Sequence, residues 1–299
     1  MKFATILDGD RHRFGLVDGD ALHLAPAGET LRDHLAGDLA ALAQRLRGLP
    51  ATPLEGVTWA PVVPDPAQIL CVGLNYKDHR EETRSVTGGA YPEHPIIFTR
   101  FATTLAAHGE TLPIPRVSEV VDYEAELAVI IGKGGRYIAQ ADAMDHVAGY
   151  APFNDISMRD WQMKADQWAP GKNFPKSAPL GPMMVTPDEV GDIGSAGIRL
   201  ILDGEVMQES WLSYLIFDIP TLISYISQFL ELRPGDVIAT GTPGGVGFVR
   251  KPPVLLAPGK TCVVEIKGND PIAPGTTVAL DFDPANLYVF DAKTSLRIR

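Results

Sequence analysis

One ten-residue stretch limits what this chain can become: Asp122-Tyr123-Glu124-Ala125-Glu126-Leu127-Ala128-Val129-Ile130-Ile131. Its apolar end reads as a strand entering a core. Side chains alternate along a strand, so Asp122, Glu124 and Glu126 share one face while Tyr123, Ala125 and Leu127 share the other. Burying several like charges costs several kcal/mol each unless something offsets it. Two readings stand at this point. The face is open to water, or a hard divalent cation gathers its oxygens.

Composition excludes several partner classes. The chain has 299 residues, 45% hydrophobic and 21% charged, which is ordinary for a soluble globular protein. Its net charge of −11 and lack of basic runs argue against nucleic acid. No apolar run approaches the roughly 20 residues of a membrane span. The opening Met1-Lys2-Phe3-Ala4 lacks a signal-peptide layout. A cytoplasmic protein without a membrane partner is expected. Cys71 and Cys262 both lie in apolar strand-like runs and read as buried structural thiols.

The pattern predicts an α+β, β-rich protein. Asp8-Gly9-Asp10 marks a hairpin, and Asp18-Gly19-Asp20 a second turn. Leu31, Leu35, Leu39, Leu42 and Leu46 predict one amphipathic helix. The proline-rich segment 50–66 reads as an extended connection. Short apolar runs at 68–73, 95–99, 124–131, 198–202, 236–240, 261–266 and 276–282 predict a β-rich body, with helices near 139–146 and from Ile219 to Leu230. This divides the chain into a small N-terminal domain with linker (1–66), a catalytic domain (67–268) and an atypical tail (269–299).

A second acidic group follows the apolar run 147–153, in Asn154-Asp155-Ile156-Ser157-Met158-Arg159-Asp160-Trp161-Gln162. Asp155 falls at a strand end, able to reach a neighbouring strand or merely to cap a turn. Joined to Glu124 and Glu126, it would give three carboxylates and leave positions open on an octahedral ion. All-oxygen donors favour Mg²⁺ or Mn²⁺, and the absence of nearby His or Cys speaks against zinc.

Five separated motifs occur in order: Gly73-Leu74-Asn75-Tyr76-Lys77-Asp78-His79-Arg80-Glu81-Glu82, Asp122 to Leu127, Asn154-Asp155 through Arg159-Asp160, Gly171-Lys172-Asn173-Phe174, and Gly235-Asp236-Val237-Ile238-Ala239-Thr240-Gly241-Thr242-Pro243. Over residues 68–266 the chain resembles the fumarylacetoacetate hydrolase family, including its bacterial acylpyruvase and oxaloacetate-decarboxylase-like members. The resemblance implies a mixed β-roll with a small N-terminal α/β domain, assembled as a homodimer. It implies Glu124, Glu126 and Asp155 as Mg²⁺ or Mn²⁺ ligands, with Asp122 supporting them.

The same resemblance makes 76–84 a lid in which Glu82 orients His79 as the base that activates water. Lys172 is implied in catalysis, and Gln162, Thr242 and Arg100 in binding substrate. Relatives commonly carry lysine where Arg100 stands, and arginine adds a two-pronged grip on a carboxylate. His94, His108 and His146 lack such context and read as structural. The implied reaction is hydrolysis of a C–C bond in a 2,4-dioxo acid of acylpyruvate or fumarylpyruvate type, as met in aromatic catabolism. Two alternatives remain: decarboxylation or isomerisation of a 2-oxo diacid on the same metal site, and a non-catalytic metal-stabilised binding protein.

Three departures accompany the resemblance: an insertion at Val86 to His94, Trp211 and Tyr214 where relatives are more polar, and the tail after Gly268. The tail faintly resembles the last strands of regulatory domains on ABC-transporter ATPases and reads as an appended hairpin.

Overall fold

The computed structural model describes residues 1–83 and 91–267, and the backbone of 289–291. An eleven-stranded sheet forms the centre. Its strands run in the order Ala51–Pro53, Ala21–Leu24, Arg11–Asp18, Lys2–Asp8, Met183–Val185, Val147–Asn154, Ala125–Ile131, Val237–Ala239, Ile69–Gly73 and Ile96–Arg100, with Thr58–Trp59 paired to Lys2–Asp8. Neighbours are antiparallel except Val237–Ala239 and Ile69–Gly73, which run parallel and make the sheet mixed. A four-stranded antiparallel sheet holds Glu205–Trp211, Gly197–Leu202, Thr261–Lys267 and Val289–Asp291. The α+β, β-rich class is thus the one present.

The strand Ala125–Ile131 shows why its sequence is so apolar. All seven residues are buried, because core packs on both of its faces. Tyr123, Ala125, Leu127, Val129 and Ile131 point into one cluster with Ile198, Leu200, Leu222 and Ile226. Ala128 and Ile130 point the other way, into a cluster with Phe3, Leu16, Leu46, Ile69 and Cys71. Each fully buried Val, Leu or Ile contributes about 1.5–3 kcal/mol. Glu126 lies on the second face, so the sheet carries a carboxylate into the interior rather than into water.

The N-terminal hairpin forms as its turn signals require, and Lys2–Asp8 continues directly onto Met183–Val185, with Phe3 opposite Met184. The 50–66 segment is more than a connection, since Ala51–Pro53 and Thr58–Trp59 both join the sheet. Pro53 is tolerated in the ladder because Ala51–Pro53 is an edge strand.

The single helix expected over the leucine repeat is two. A 3₁₀ turn, Leu31–His34, is closed by a reciprocal Thr30–Asp33 capping box, and an α-helix, Leu39–Arg47, begins at Asp38. Asp38 accepts from the backbone N–H groups of Ala40 and Ala41, a cap that ends continuity after Gly37. The run 139–146 is a 3₁₀ helix, Gln140–His146, whereas Ile219–Phe229 is the expected α-helix, capped by Asp218. Both cysteines are buried and free. Of the tail, Val289–Asp291 pairs along Thr261–Lys267. The rest of the tail, the 276–282 run and residues 84–90, which include the first part of the insertion, lie outside the described residues. Trp211 and Tyr214 are 36% and 50% exposed, neither core nor enclosed pocket wall.

Candidate metal centre and active site

Glu124 immediately precedes the central strand and Glu126 lies on it. Asp155 follows Val147–Asn154, the antiparallel neighbour in which Ala125 faces Asn154. That register brings three buried carboxylates together, with one ligand oxygen from each lying within 4.8 Å of the others. Backbone bonds fix the crossing: the Asp155 N–H donates to Glu124 O at 2.9 Å, and the Asn154 side chain accepts from the Glu124 N–H at 3.0 Å.

Three buried cations surround the cluster. Lys172 Nζ sits 2.6 Å from Glu124 Oε2 and 2.5 Å from Asp155 Oδ2. Arg159 lies 2.7 Å from both Asp122 Oδ2 and Glu124 Oε1. Arg100 pairs with Asp155 Oδ1 and donates to Ser177 Oγ at 2.8 Å and Ile156 O at 2.6 Å. Asp122 also accepts the backbone N–H of Gly247 at 2.8 Å, a position supporting the strand rather than completing the three-oxygen group. Arg159 sits within a motif already singled out, but only its approach to two carboxylates discloses its importance. Nothing in its spacing announces that.

The electrostatics separate the three acids. Burial opposes ionisation of Glu124, yet Arg159 and Lys172 outweigh it and hold the carboxyl below its ordinary range. Burial, reinforced by the charges of Asp155 and Glu124, pushes Glu126 well above that range. Its one side-chain hydrogen bond among the described residues comes from the Gly241 N–H at 2.9 Å. Burial likewise raises Asp122, against the pull of Arg159. An all-oxygen donor set with one member short of positive charge fits a hard divalent cation.

The helix Lys77–Glu82 carries the second group. His79 Nδ1 lies 2.8 Å from Glu82 Oε1, and Glu82 Oε2 accepts the Gly245 N–H at 2.8 Å. His79 is buried, and a charge on its ring would add to the larger effects of Arg159 and Lys172 that hold Glu124 ionised against burial. Gln162 Oε1 accepts from Arg159 Nη1 at 3.0 Å, and Thr242 Oγ1 accepts from Gln208 Nε2 at 2.8 Å. Gln208, absent from the expected site, also accepts the Ala125 N–H at 2.9 Å and so ties the acidic strand to the Thr242 loop.

The histidines read as structural have ordinary partners. His146 Nδ1 bonds Lys133 O at 2.6 Å, His94 stacks on Tyr225, and His108 meets Trp59 edge-on. Among the described residues, no helix is long and apolar enough to cross a membrane.

Fold and cluster together define a β-rich α+β protein with a buried tricarboxylate site. Residues 68–276 match the family model described as "Fumarylacetoacetate (FAA) hydrolase C-terminal", and the chain belongs to that family of enzymes. It is 46% identical over 222 residues to the Bos taurus protein named oxaloacetate tautomerase FAHD2A, mitochondrial, covering 73% of this chain and 69% of that protein. Among solved structures, it resembles fumarylacetoacetate hydrolase from Exiguobacterium antarcticum, with a TM-score of 0.77, 28% identity and coverage of 98% and 99% of the two chains. It also resembles 5-carboxymethyl-2-hydroxymuconate delta-isomerase from Mycobacterium smegmatis, with a TM-score of 0.72, 27% identity and 97% coverage of both.

Proposed function

We propose that this chain is a Mg²⁺- or Mn²⁺-dependent enzyme that moves a proton within a 2-oxo diacid of oxaloacetate or hydroxymuconate type. The observation that carries it is the Glu124–Glu126–Asp155 cluster. The 46% identity to a protein named as an oxaloacetate tautomerase supports proton transfer over the hydrolysis expected from sequence. Four buried carboxylates face three buried cations there, so a bound divalent ion leaves an excess of positive charge, the sign that draws in a carboxylate substrate.

Glu124, Glu126 and Asp155 would hold the ion, which when bound supplies Lewis acidity to the carboxylate and 2-oxo oxygens of the substrate. Lys172 holds a buried ammonium against Glu124 and Asp155, two of the carboxylates that would hold the ion, and from there it would oppose the negative charge that grows on the 2-oxo oxygen. In the enol-to-keto direction the 2-hydroxyl proton is lost to water and His79 delivers one proton from Nε2 to C3 of the substrate, the reverse direction retracing both transfers, while Glu82 accepts the hydrogen bond from Nδ1. Arg100, with its guanidinium spent on Asp155, Ser177 and Ile156, is assigned to holding Asp155 in place of the substrate contact read from sequence. Gln162 and Thr242 are assigned to the substrate-facing edge, steadied by Arg159 and Gln208.

Hydrolysis of an acylpyruvate is the second reading, favoured by the 2.8 Å His79–Glu82 pair, which suits activation of water. We assign the working form to a cytoplasmic homodimer. The test is to follow conversion of enolic to keto oxaloacetate by ultraviolet absorbance, beside acetylpyruvate and fumarylpyruvate with products weighed by mass spectrometry. Acceleration of the first with carbon skeleton intact supports tautomerisation. Cleavage of the others without it moves the assignment to the hydrolase.

A further inference from the structure

The segment Gly241 to Phe248 turns its backbone donors on three different carboxylates. Gly241 N–H donates to Glu126 Oε2 at 2.9 Å, Gly245 N–H to Glu82 Oε2 at 2.8 Å, and Gly247 N–H to Asp122 Oδ1 at 2.8 Å. Phe248 N–H adds a bond to Asp122 Oδ2 at 3.2 Å. Two of the acids belong to the acidic stretch 122–131, and the third belongs to the helix that carries His79. One short piece of chain is therefore bonded both to the cluster and to the His79–Glu82 pair.

The segment is itself held in place. Gly245 O accepts from the Tyr123 hydroxyl at 3.3 Å and from Arg250 Nε at 3.2 Å, and Pro243 O accepts from Gln208 Nε2 at 2.9 Å. Gly245 has φ +99°, and a Cβ there would lie 2.2 Å from Met207 O. Only glycine keeps this backbone close enough, in this conformation, for its N–H to reach Glu82. Hydrogen bonds from backbone N–H groups to carboxylates are among the stronger ones.

We infer that Gly245 is a positioning residue: its N–H fixes Glu82 and, through Glu82, the ring of His79, in register with the Glu126 contact four residues before it and the Asp122 contact two residues after it on the same segment. The inference rests on the metal reading above only for its second consequence. First, the His79 helix is tethered to the segment whether or not an ion is present. Second, an ion that fixes Glu126 steadies Gly241 and hence the tether, so the helix Lys77–Glu82 tightens although none of the three ion-binding carboxylates lies on it.

The test is amide hydrogen exchange read by mass spectrometry on the full chain, metal-free and with Mg²⁺, in wild type, Glu82→Ala and Glu82→Gln. Loss of the acceptor in E82A is expected to speed exchange at Gly245 and across 77–82 by at least about tenfold, while Gly241 and Gly247 stay slow. The glutamine oxygen can still accept the Gly245 N–H, so E82Q is expected to recover that protection. Mg²⁺ is expected to slow exchange across 77–82 in wild type and not in E82A. Unchanged Gly245 exchange in E82A overturns the proposal, as does Mg²⁺-dependent tightening of 77–82 that survives in E82A. A chain whose melting temperature ignores Mg²⁺ would sink the metal reading alone, and the metal-free comparison of wild type, E82A and E82Q then decides this one.

Discussion

Lys172 Nζ lies 2.6 Å from Glu124 Oε2, between side chains that are 2% and 7% exposed, and the same nitrogen reaches Asp155. One ammonium is thus shared between two of the three carboxylates that could hold an ion. Replacing it by the similarly shaped methionine leaves both carboxylates short of charge. Breaking a buried pair this way costs about 3–5 kcal/mol. Lys172→Met is expected to melt well below wild type without divalent ions and to regain part of the difference with Mg²⁺. Equal melting temperatures in EDTA would show that the contact carries no such weight.

Arg159 reaches Asp122, Glu124 and Gln162 through the several nitrogens of one planar guanidinium, a fork that a lysine's single nitrogen does not reproduce. Arg159→Lys keeps the charge but loses the fork, and should destabilise by about 1–3 kcal/mol. Chemical denaturation with and without Mg²⁺ measures it. A variant as stable as wild type would mean that charge alone matters there.

Glu126 supplies the pH prediction. Its folded value is raised above the ordinary 4.5 by burial and by its acidic neighbours. A raised acid stabilises the fold below its unfolded value, and that contribution is lost as pH rises through the folded value. The metal-free protein should therefore lose stability on going upward from about pH 4.5, with Glu126→Gln losing less over the same window. Thermal melts in EDTA across pH 5–8 test this. Identical slopes for the two proteins would contradict it.

For the His79–Glu82 pair, Glu82→Ala should lower turnover about 10²–10⁴-fold, the usual weight of a positioned acid–base group. Substrate affinity should change far less. A fully active variant would remove the dyad from the mechanism.

Most of this site was legible because its acids sit in strands whose alternation is unambiguous. Asp122, Glu124 and Glu126 share a face by parity alone, and Asp155 follows a recognisable apolar run. Arg159 and Gln208 escaped notice because their roles depend on contacts between segments 37 and 83 residues apart. The partners of Arg100 are hidden in the sequence for a related reason. A charge at a strand end points to solvent or substrate until Ser177 and Ile156 O are seen to enclose it. The leucine repeat failed differently: it reported one apolar face correctly, but the Gly37-Asp38 break resets the helix without disturbing that face. The strands Met183–Val185 and Glu205–Trp211 were missed because one is very short and the other largely polar.

The central claim is that Glu124, Glu126 and Asp155 bind one divalent ion. Calorimetric titration of Mg²⁺ and Mn²⁺ into metal-free protein tests it directly, with Asp155→Asn and Glu126→Gln alongside. One ion per chain is expected in wild type, with affinity weakened by at least about a hundredfold in either variant. Binding of equal strength in all three proteins, or none in wild type, would contradict it.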